Sequence, residues 1–376
     1  MKTRVNNRTS RRGIALVLVM MTIIVLSAIV GSLAISMSTE MRLARNTDYD
    51  AQMEWMGRSG IELARYALAN KCAEQKSIDA LNQFWAGGNS PCSNGVENLP
   101  LKNFPLGPGI INVTITDMER KWDINLVANP RNPQKAIMQK ALAEVGVTDE
   151  EQSETIIGSI LDWMNPNESA GFSGAKSDYY LHLNPPYYCK NGQIDDISEL
   201  LLIKGITPEI YWGSNSTNHP VSGFQQHGGG AFDQPIVSRS GAGFRGSDQP
   251  QYPVGLVELF SAMGGPLNIN TASLKTLQLI PGIDEAIAER ILQARSGGGQ
   301  DGSEESVPFQ STGQLSDILG PGVQVQQLAN YVSVRSLVFE VKVEAVINDY
   351  KRNFYGIVSR GGGGGQQITC VKFYWE

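Results

Sequence analysis

The sequence predicts an α+β protein in which one long N-terminal helix is followed by strands, and the strands are interrupted by a large helical insert. Three observations carry this. Residues 14–70 run without proline, apolar up to Thr39 and amphipathic from Glu40 onward. Ile111, Val113 and Ile115 then alternate with Asn112, Thr114 and Thr116, which is the period of a half-buried strand. Residues 128–330 are mainly helical in pattern, and alternation returns only in residues 331–376. A lone strand cannot form a stable sheet, so residues 111–116 are expected to pair with the C-terminal strands across the insert.

The elements follow in chain order. Ile14 to Thr39 carries no charge, and as a helix it outreaches the ~30 Å hydrocarbon layer. A secretory signal has a shorter apolar core that ends in a small-residue cleavage site. Here Ser27, Ala28, Gly31 and Ser32 are embedded in the run and do not end it. Lys2, Arg4, Arg8, Arg11 and Arg12 precede it without an acid, a bias that keeps the N-terminus cytoplasmic and sends the rest across. Beyond Glu40, Met41, Ala44, Ala51, Trp55, Ile61, Ala64, Ala67 and Leu68 recur at helical spacing. A loop is expected over residues 85–109, and helices over 129–165, in "ISELLLIKG" and in "TASLKTLQLIPGIDEAIAERILQAR" and "STGQLSDILG". Residues 214–251 are low in complexity and read as a long loop. Strands close the chain in "VSVRSLVFEVKVEAVIND", "NFYGIVSRG" and "ITCVKFYWE".

Charge excludes one class of partner. The chain carries 31 Lys+Arg against 37 Asp+Glu, a net −6, and residues 14–376 alone carry 26 against 37, a net −11. Affinity for phosphates rests largely on Lys and Arg, so nucleic acid is not an expected partner. Four cysteines, Cys72, Cys92, Cys189 and Cys370, allow three pairings and show no zinc spacing. The two nearest in sequence, Cys72 and Cys92, are the first candidates, which leaves Cys189 with Cys370.

Two motifs have competing readings. "LQLIPGIDEAIAERILQAR" is a helix, a Pro-Gly turn and a helix, and "SELLLIKGITPEIYWG" is a weaker copy. Nucleic-acid hairpins of this kind turn through Gly-hydrophobic-Gly, with backbone amides facing a phosphate. Here the turns are Gly282-Ile283-Asp284 and Gly205-Ile206-Thr207, and the carboxylate of Asp284 would repel phosphate. Paired hairpins therefore read as a packing module. In "LDWMNPNESAGFSGAKSDYY", Asp162, Asn165, Asn167, Glu168 and Asp178 cluster among small residues. Such oxygens can ligate Ca²⁺, or can simply cap a helix and turn the chain. Of three histidines, His219 and His227 sit in or beside the low-complexity run, and no nucleophile–base pair, phosphate loop or HExxH motif is visible. The chain does not read as an enzyme.

The basic leader ending in Gly13, continued by a retained apolar helix, resembles the class III signals of type IV pilins and type II secretion pseudopilins. "RRGIALVLVMMTIIVL", "DMERKWDINL", "ILDWMNPNESAGFSGAKSDYY", "ISELLLIKGI" and "LNINTASLKTLQLIPGIDEAIAERI" together resemble the protein K family of type II secretion, the large minor pseudopilins. The resemblance implies a pilin-like fold with an inserted α-helical domain of helix-hairpin-helix or SAM-like units. Its parts would be a leader (1–13), a transmembrane or filament-core helix (14–39), a first pilin-like part (40–127), the insert (128–330) and C-terminal strands (331–376). It implies cleavage after Gly13 by the prepilin peptidase, N-methylation of Ile14, single-pass residence in the inner membrane and a periplasmic soluble domain. It also implies a place at the tip of the pseudopilus, in complex with the I and J minor pseudopilins, where the protein helps to start assembly and caps the fibre. Other pseudopilins and the inner-membrane assembly platform are further implied partners. Most pilins carry glutamate as fifth mature residue, to neutralise a neighbour's terminal amine in the apolar core; here the fifth residue is Leu18, which a subunit with no neighbour above it tolerates. The chain departs from the family at Asn165 and Asn167, where aspartates are common, and at Lys176, where an acid is common, which weakens a Ca²⁺ site at Asp162, Asn165, Asn167 and Asp178. A type IV minor pilin would lack the insert, and an anchored DNA-uptake protein would not be this acidic.

Overall fold

A computed structural model describes residues 11–70, 77–88, 100–171, 173–214, 252–296, 307–319, 331–361 and 367–375. Expectations for residues 1–10, Cys72, Cys92 and the low-complexity run 215–251 lie outside the described residues. The chain begins with α1 (Arg11–Ala69), then β1 (Phe104–Leu106) and β2 (Gly109–Asp117). The insert follows as β3 (Trp122–Asp123), α2 (Ile124–Val127), α3 (Lys135–Val145), α4 (Glu150–Met164), α5 (Ser177–Tyr180), α6 (Pro208–Trp212), α7 (Leu256–Leu259) and β4 (Phe260–Ser261). It continues through β5 (Leu267–Asn268), α8 (Leu274–Gln278), α9 (Glu285–Arg295), α10 (Ser316–Leu319) and β6 (Val332–Ser333). The chain closes with β7 (Val338–Ile347), β8 (Tyr350–Arg360) and β9 (Ile368–Trp375).

The strand before the insert does pair with those after it. β2 lies antiparallel to β7 with Val113 opposite Val343, in a five-stranded sheet ordered β1-β2-β7-β8-β9. Inward residues alternate along β7, where Phe339, Val341, Val343, Ala345 and Ile347 are buried. One expected loop ends differently: Phe104–Leu106 is a strand, hairpinned to β2 through Gly107 at φ +59°. "ISELLL" winds as a 3-10 helix rather than an α-helix.

The second half of α1 packs on this sheet through the later part of the expected stripe, Ile61 to Leu68, while its earlier part, Met41 to Trp55, is exposed. Met53, Met56, Ile61, Ala64, Ala67 and Leu68 face in, whereas Trp55 is 72% exposed and Met41 is exposed as well. Two glycines set the rotation. A Cβ on Gly57 would stand 2.5 Å from Phe354 Cγ, and one on Gly60 would stand 2.5 Å from Val343 Cγ1. The helix therefore meets the sheet at its glycines, and the neighbouring methionines fill the flanks. Among the described residues the apolar first half is uncovered: Leu16 through Leu43 are exposed at every large apolar position.

The insert has its own core, with Ile124, Ile137, Ile156, Leu200, Leu259, Leu277 and Ile291 buried in it. A buried polar knot joins it to the sheet. Arg360, 3% exposed at the end of β8, donates to Asp79 Oδ2 at 2.8 Å and to the Ser336 carbonyl at 2.9 Å. Asp117 Oδ2, at the end of β2, accepts from Ser336 Oγ at 2.6 Å, Thr271 Oγ1 at 2.5 Å and Asn268 Nδ2 at 3.2 Å. Asn268 Nδ2 also reaches the Asp79 carbonyl at 3.0 Å. Beside the knot, Glu119 Oε1 accepts from Leu337 N at 3.1 Å. Burial, and next the Asp117 charge, push Glu119 from its ordinary 4.5 up to about 8; burial raises Asp117 too.

The cysteine pairing expected for Cys189 and Cys370 does not form. Cys189 is a buried thiol of the insert, turned to the Asp162 and Trp163 carbonyls. Cys370 is an exposed thiol on β9, turned to the Lys372 carbonyl. Each sulfur is directed into its own unit.

Two predictions follow from this packing. Gly60→Leu, which gains helix propensity, should nonetheless lower stability by roughly 1–3 kcal/mol, because the buried β-branched Val343 cannot yield space; a chemical denaturation midpoint of the full chain in detergent checks it. Glu119 governs a pH dependence. Below pH 4.5 it is protonated folded and unfolded, so its full contribution is present there. Between 4.5 and about 8 the unfolded chain releases the proton first, and stability falls by at most about 1.4 kcal/mol per pH unit until the folded carboxyl titrates. Glu119→Gln keeps the acceptor for Leu337 N and should flatten stability over that window, leaving the variant more stable than the parent at pH 8.

Candidate functional site

Three features remain after the cores are accounted for. The first is the anchor helix. Among the described residues, α1 is the one helix long and apolar enough to cross a membrane. The backbone at Gly13 and Ile14 lies in its first turns, and Leu18, 58% exposed, lies in the uncovered apolar half. Farther along, Trp55 and Tyr66 are exposed on the outer side of the half that packs on the sheet.

The second is the acidic loop after α4. The residues read as oxygen ligands are used separately. Asp162 Oδ2 accepts from Gly171 N at 2.8 Å. Asn165 Oδ1 accepts from Asn167 N at 3.1 Å, the turn-forming role that Asn and Asp play at helix ends. The Asn167, Glu168 and Asp178 residues are exposed. Among the described residues no group of three or more His, Cys, Asp or Glu is placed to hold a metal ion. Lys176 takes the centre instead. It is 4% exposed, and its Nζ donates to the Asp162 carbonyl at 2.6 Å, the Asn165 carbonyl at 2.7 Å and Asn191 Oδ1 at 2.7 Å. The four residues expected to ligate Ca²⁺ are not brought together by their side chains: the oxygens gathered here surround the Lys176 ammonium.

The third is the pair of helical hairpins, and the relation between them is closer than their sequences show. Gly205 and Gly282 both turn with positive φ, +88° and +86°. Two residues on in each, Thr207 and Asp284 cap the next helix by accepting from Ile210 N at 3.4 Å and Ile287 N at 2.8 Å. In the second hairpin both polar sides of the turn are satisfied from within. Asp284 takes the amide, and Lys140 Nζ takes the carbonyls of Gln278, Ile280 and Ile283 at 3.1, 3.0 and 3.3 Å. Burial lowers Lys140 from its ordinary value, while Glu144 and Asp284 oppose the shift.

The comparisons with known proteins agree with this arrangement. The family model described as "Type II secretion system (T2SS), protein K" matches residues 121–213, and a helix-hairpin-helix motif model matches residues 264–332. The type II secretion system protein K of Pseudomonas aeruginosa is 24% identical over 366 residues, 94% of this chain and 90% of that protein. The chain is thus similar to the protein K family of type II secretion. A putative member from Escherichia coli K12 is 26% identical over 216 residues, and the member from Klebsiella pneumoniae is 24% identical over 209. Each of these two alignments covers 54% of this chain and 60% of the relative, so the chain spans about three fifths of those relatives' length. In fold, this chain is similar to the solved GspK-GspI-GspJ complex of enterotoxigenic Escherichia coli, with a TM-score of 0.62 over 89% of this chain and 99% of that one, at 18% identity. The family model's span, 121–213, contains α4, the Lys176 loop and the first hairpin.

The polar knot and both lysines were missed at the level of sequence. Asp117 and Glu119 stand in "TDMER", where a strand's end and a turn account for them. Lys140 and Lys176 read as ordinary solvated charges, and only the departure at Lys176 hinted at its place.

Proposed function

We propose that this chain is a minor pseudopilin that sits at the tip of the type II secretion pseudopilus, helps to start its assembly and caps it. One observation carries the reading: α1 is continuous, uncovered over its apolar half and packed on the sheet over the rest. An apolar helix of that length needs a membrane or a bundle of like helices around it. A single rigid helix can pass from one to the other while the head stays outside. The basic leader supports a cut after Gly13, with Ile14 as the methylated new N-terminus, an anchor in the inner membrane and a head in the periplasm. Leu18 in place of a glutamate fits a subunit with none above it. The partners of this proposal are the I and J minor pseudopilins, which the solved GspK-GspI-GspJ complex holds together with their own K protein. The role is structural, without catalysis. The capped turn of the second hairpin offers no amide at its third helical position to a phosphate, which favours packing over nucleic-acid binding.

Co-expression of the three pseudopilins tests the partnership. The complex should co-purify, and Trp55→Asp, on the outer side of α1, should weaken it by roughly 2 kcal/mol or more, as loss of a buried aromatic anchor does. Antibody against the insert should decorate one end of the pseudopilus; decoration along its whole length removes the cap. Gly13→Val should leave a full-length precursor in the inner membrane and abolish secretion, as read by size on a blot and by exported protein. Mature-sized protein in that variant defeats the leader assignment.

A further inference from the structure

We infer that the junction between the sheet and the insert is a proton-operated latch: Glu119, carried as a neutral carboxylic acid, holds the Gly264–Gly265 stretch and the returning chain at Leu337 against the end of β2, and opening of this junction, with both cores intact, sets the Glu119 proton free. The inference is independent of the pseudopilin role.

Glu119 lies just after β2, where the chain leaves the sheet for the insert, and it is 1% exposed. The insert crowds it. A Cβ on Gly265 would stand 3.0 Å from Glu119 Oε1, and one on Gly264 would stand 3.4 Å from Glu119 Cγ. Those two glycines lie in the link from β4 to β5, so the middle of the insert rests directly on the carboxyl. Oε1 also accepts from Leu337 N, one residue before β7. What faces the group fixes its charge state. The carboxyls around it are Asp117 from β2, Asp79 from the segment after α1, and Asp123 from β3 across Gly264. The nearby cations are engaged elsewhere. Arg360 reaches Asp79, Lys121 donates to the Val257 carbonyl, and half-buried Arg120 stands beside Lys121 and Arg295. Glu119 Oε2 makes no hydrogen bond among the described residues. A carboxylate enclosed in this way, beside other carboxyls, is costly, whereas the neutral acid is not. Burial, and next Asp117, accordingly raise Glu119 to about 8. An open junction admits water, and the group then ionises near its ordinary 4.5. Opening therefore releases a proton, and between those two values each pH unit favours the open junction about tenfold. The sheet and the insert each have their own buried core, so the contacts between them can part while both remain folded.

The test is hydrogen–deuterium exchange of the full chain in detergent, followed by mass spectrometry and corrected for the intrinsic effect of pH on exchange. Peptides covering residues 262–268 and 334–340 should exchange faster than those of α4 and β8. Their corrected rates should rise about tenfold between pH 6.5 and 7.5. Glu119→Gln keeps the acceptor for Leu337 N but cannot titrate, and it should remove that slope. Asp123, pushed by burial to about 6, is already ionised over most of this window, so Asp123→Asn should leave the slope in place. A slope that survives in Glu119→Gln, or that Asp123→Asn removes, overturns the proposal. Corrected exchange that is flat with pH in the parent overturns it as well. So does equal protection of the junction and the two cores at every pH, because the carboxyl would then act on global unfolding alone.

Discussion

The buried ion pair between Arg360 and Asp79 is the constraint on which the architecture turns. It lies where four stretches of chain converge: the segment after α1, the end of β2, the start of β7 and the end of β8. Charges buried this deeply cost several kcal/mol each to desolvate, and the pair is tolerable only because its geometry and remaining hydrogen bonds are complete. Arg360 reaches two Asp79 oxygens and the Ser336 carbonyl; Asp79 takes Ser336 N as well. Removing one partner of such a pair typically costs about 3–5 kcal/mol. The knot is therefore worth less as net stability than as specification. The insert leaves the sheet at Asp117 and returns at Ser336, and Asn268 and Thr271 from inside the insert bond to the same carboxylate as Ser336. One oxygen, Asp117 Oδ2, thereby reads both ends and the middle of the excursion.

That knot explains why a sheet can be interrupted by so long an insert. The pairing of β2 with β7 brings together residues more than two hundred positions apart, and closing a long loop costs only about 0.6 kcal/mol for each doubling of its length. The greater hazard is register, since a one-residue slip would turn Ile111, Val113 and Ile115 to solvent. The hydrogen bonds at Asp117 and Ser336 pin the strand ends and so help to exclude the slip. Glu119 is the cost of this arrangement: placed beside Asp117 and buried, it holds its proton to about pH 8.

Legibility from sequence followed the physics of each element. The long helix, the lone strand and the returning strands were plain because apolar periodicity records burial along a single element. The Asp117 knot was not, because its members are far apart in sequence and each has an innocent local reading. The earlier part of the α1 stripe, up to Trp55, failed for a different reason. Periodicity counts apolar side chains, and the contact that sets the rotation is made by Gly57 and Gly60, which have none. Trp55 was drawn into the buried stripe by its hydrophobicity, although the helix turns it outward. At the acidic loop, side-chain oxygens suggested a ligand set, while the oxygens that converge are two carbonyls and one amide, which sequence does not advertise.

The two lysines share one physical logic. Helix ends and tight turns leave carbonyls that must be satisfied by something positive or by water, and a small domain can meet that need with a bound ion or with its own side chain. Lys140 closes over the carbonyls of residues 278, 280 and 283 in the second hairpin, and Lys176 over those of 162 and 165 after α4. Both lysines crosslink segments that lie apart in the chain, and neither can be lost to a chelator. The two differ in how far they are withdrawn from water. Lys176 is almost fully enclosed, whereas Lys140 is half-buried and keeps access to solvent for part of its hydration. Enclosure makes Lys176 the more consequential of the two, because an ammonium deprived of water depends on all three of its oxygens.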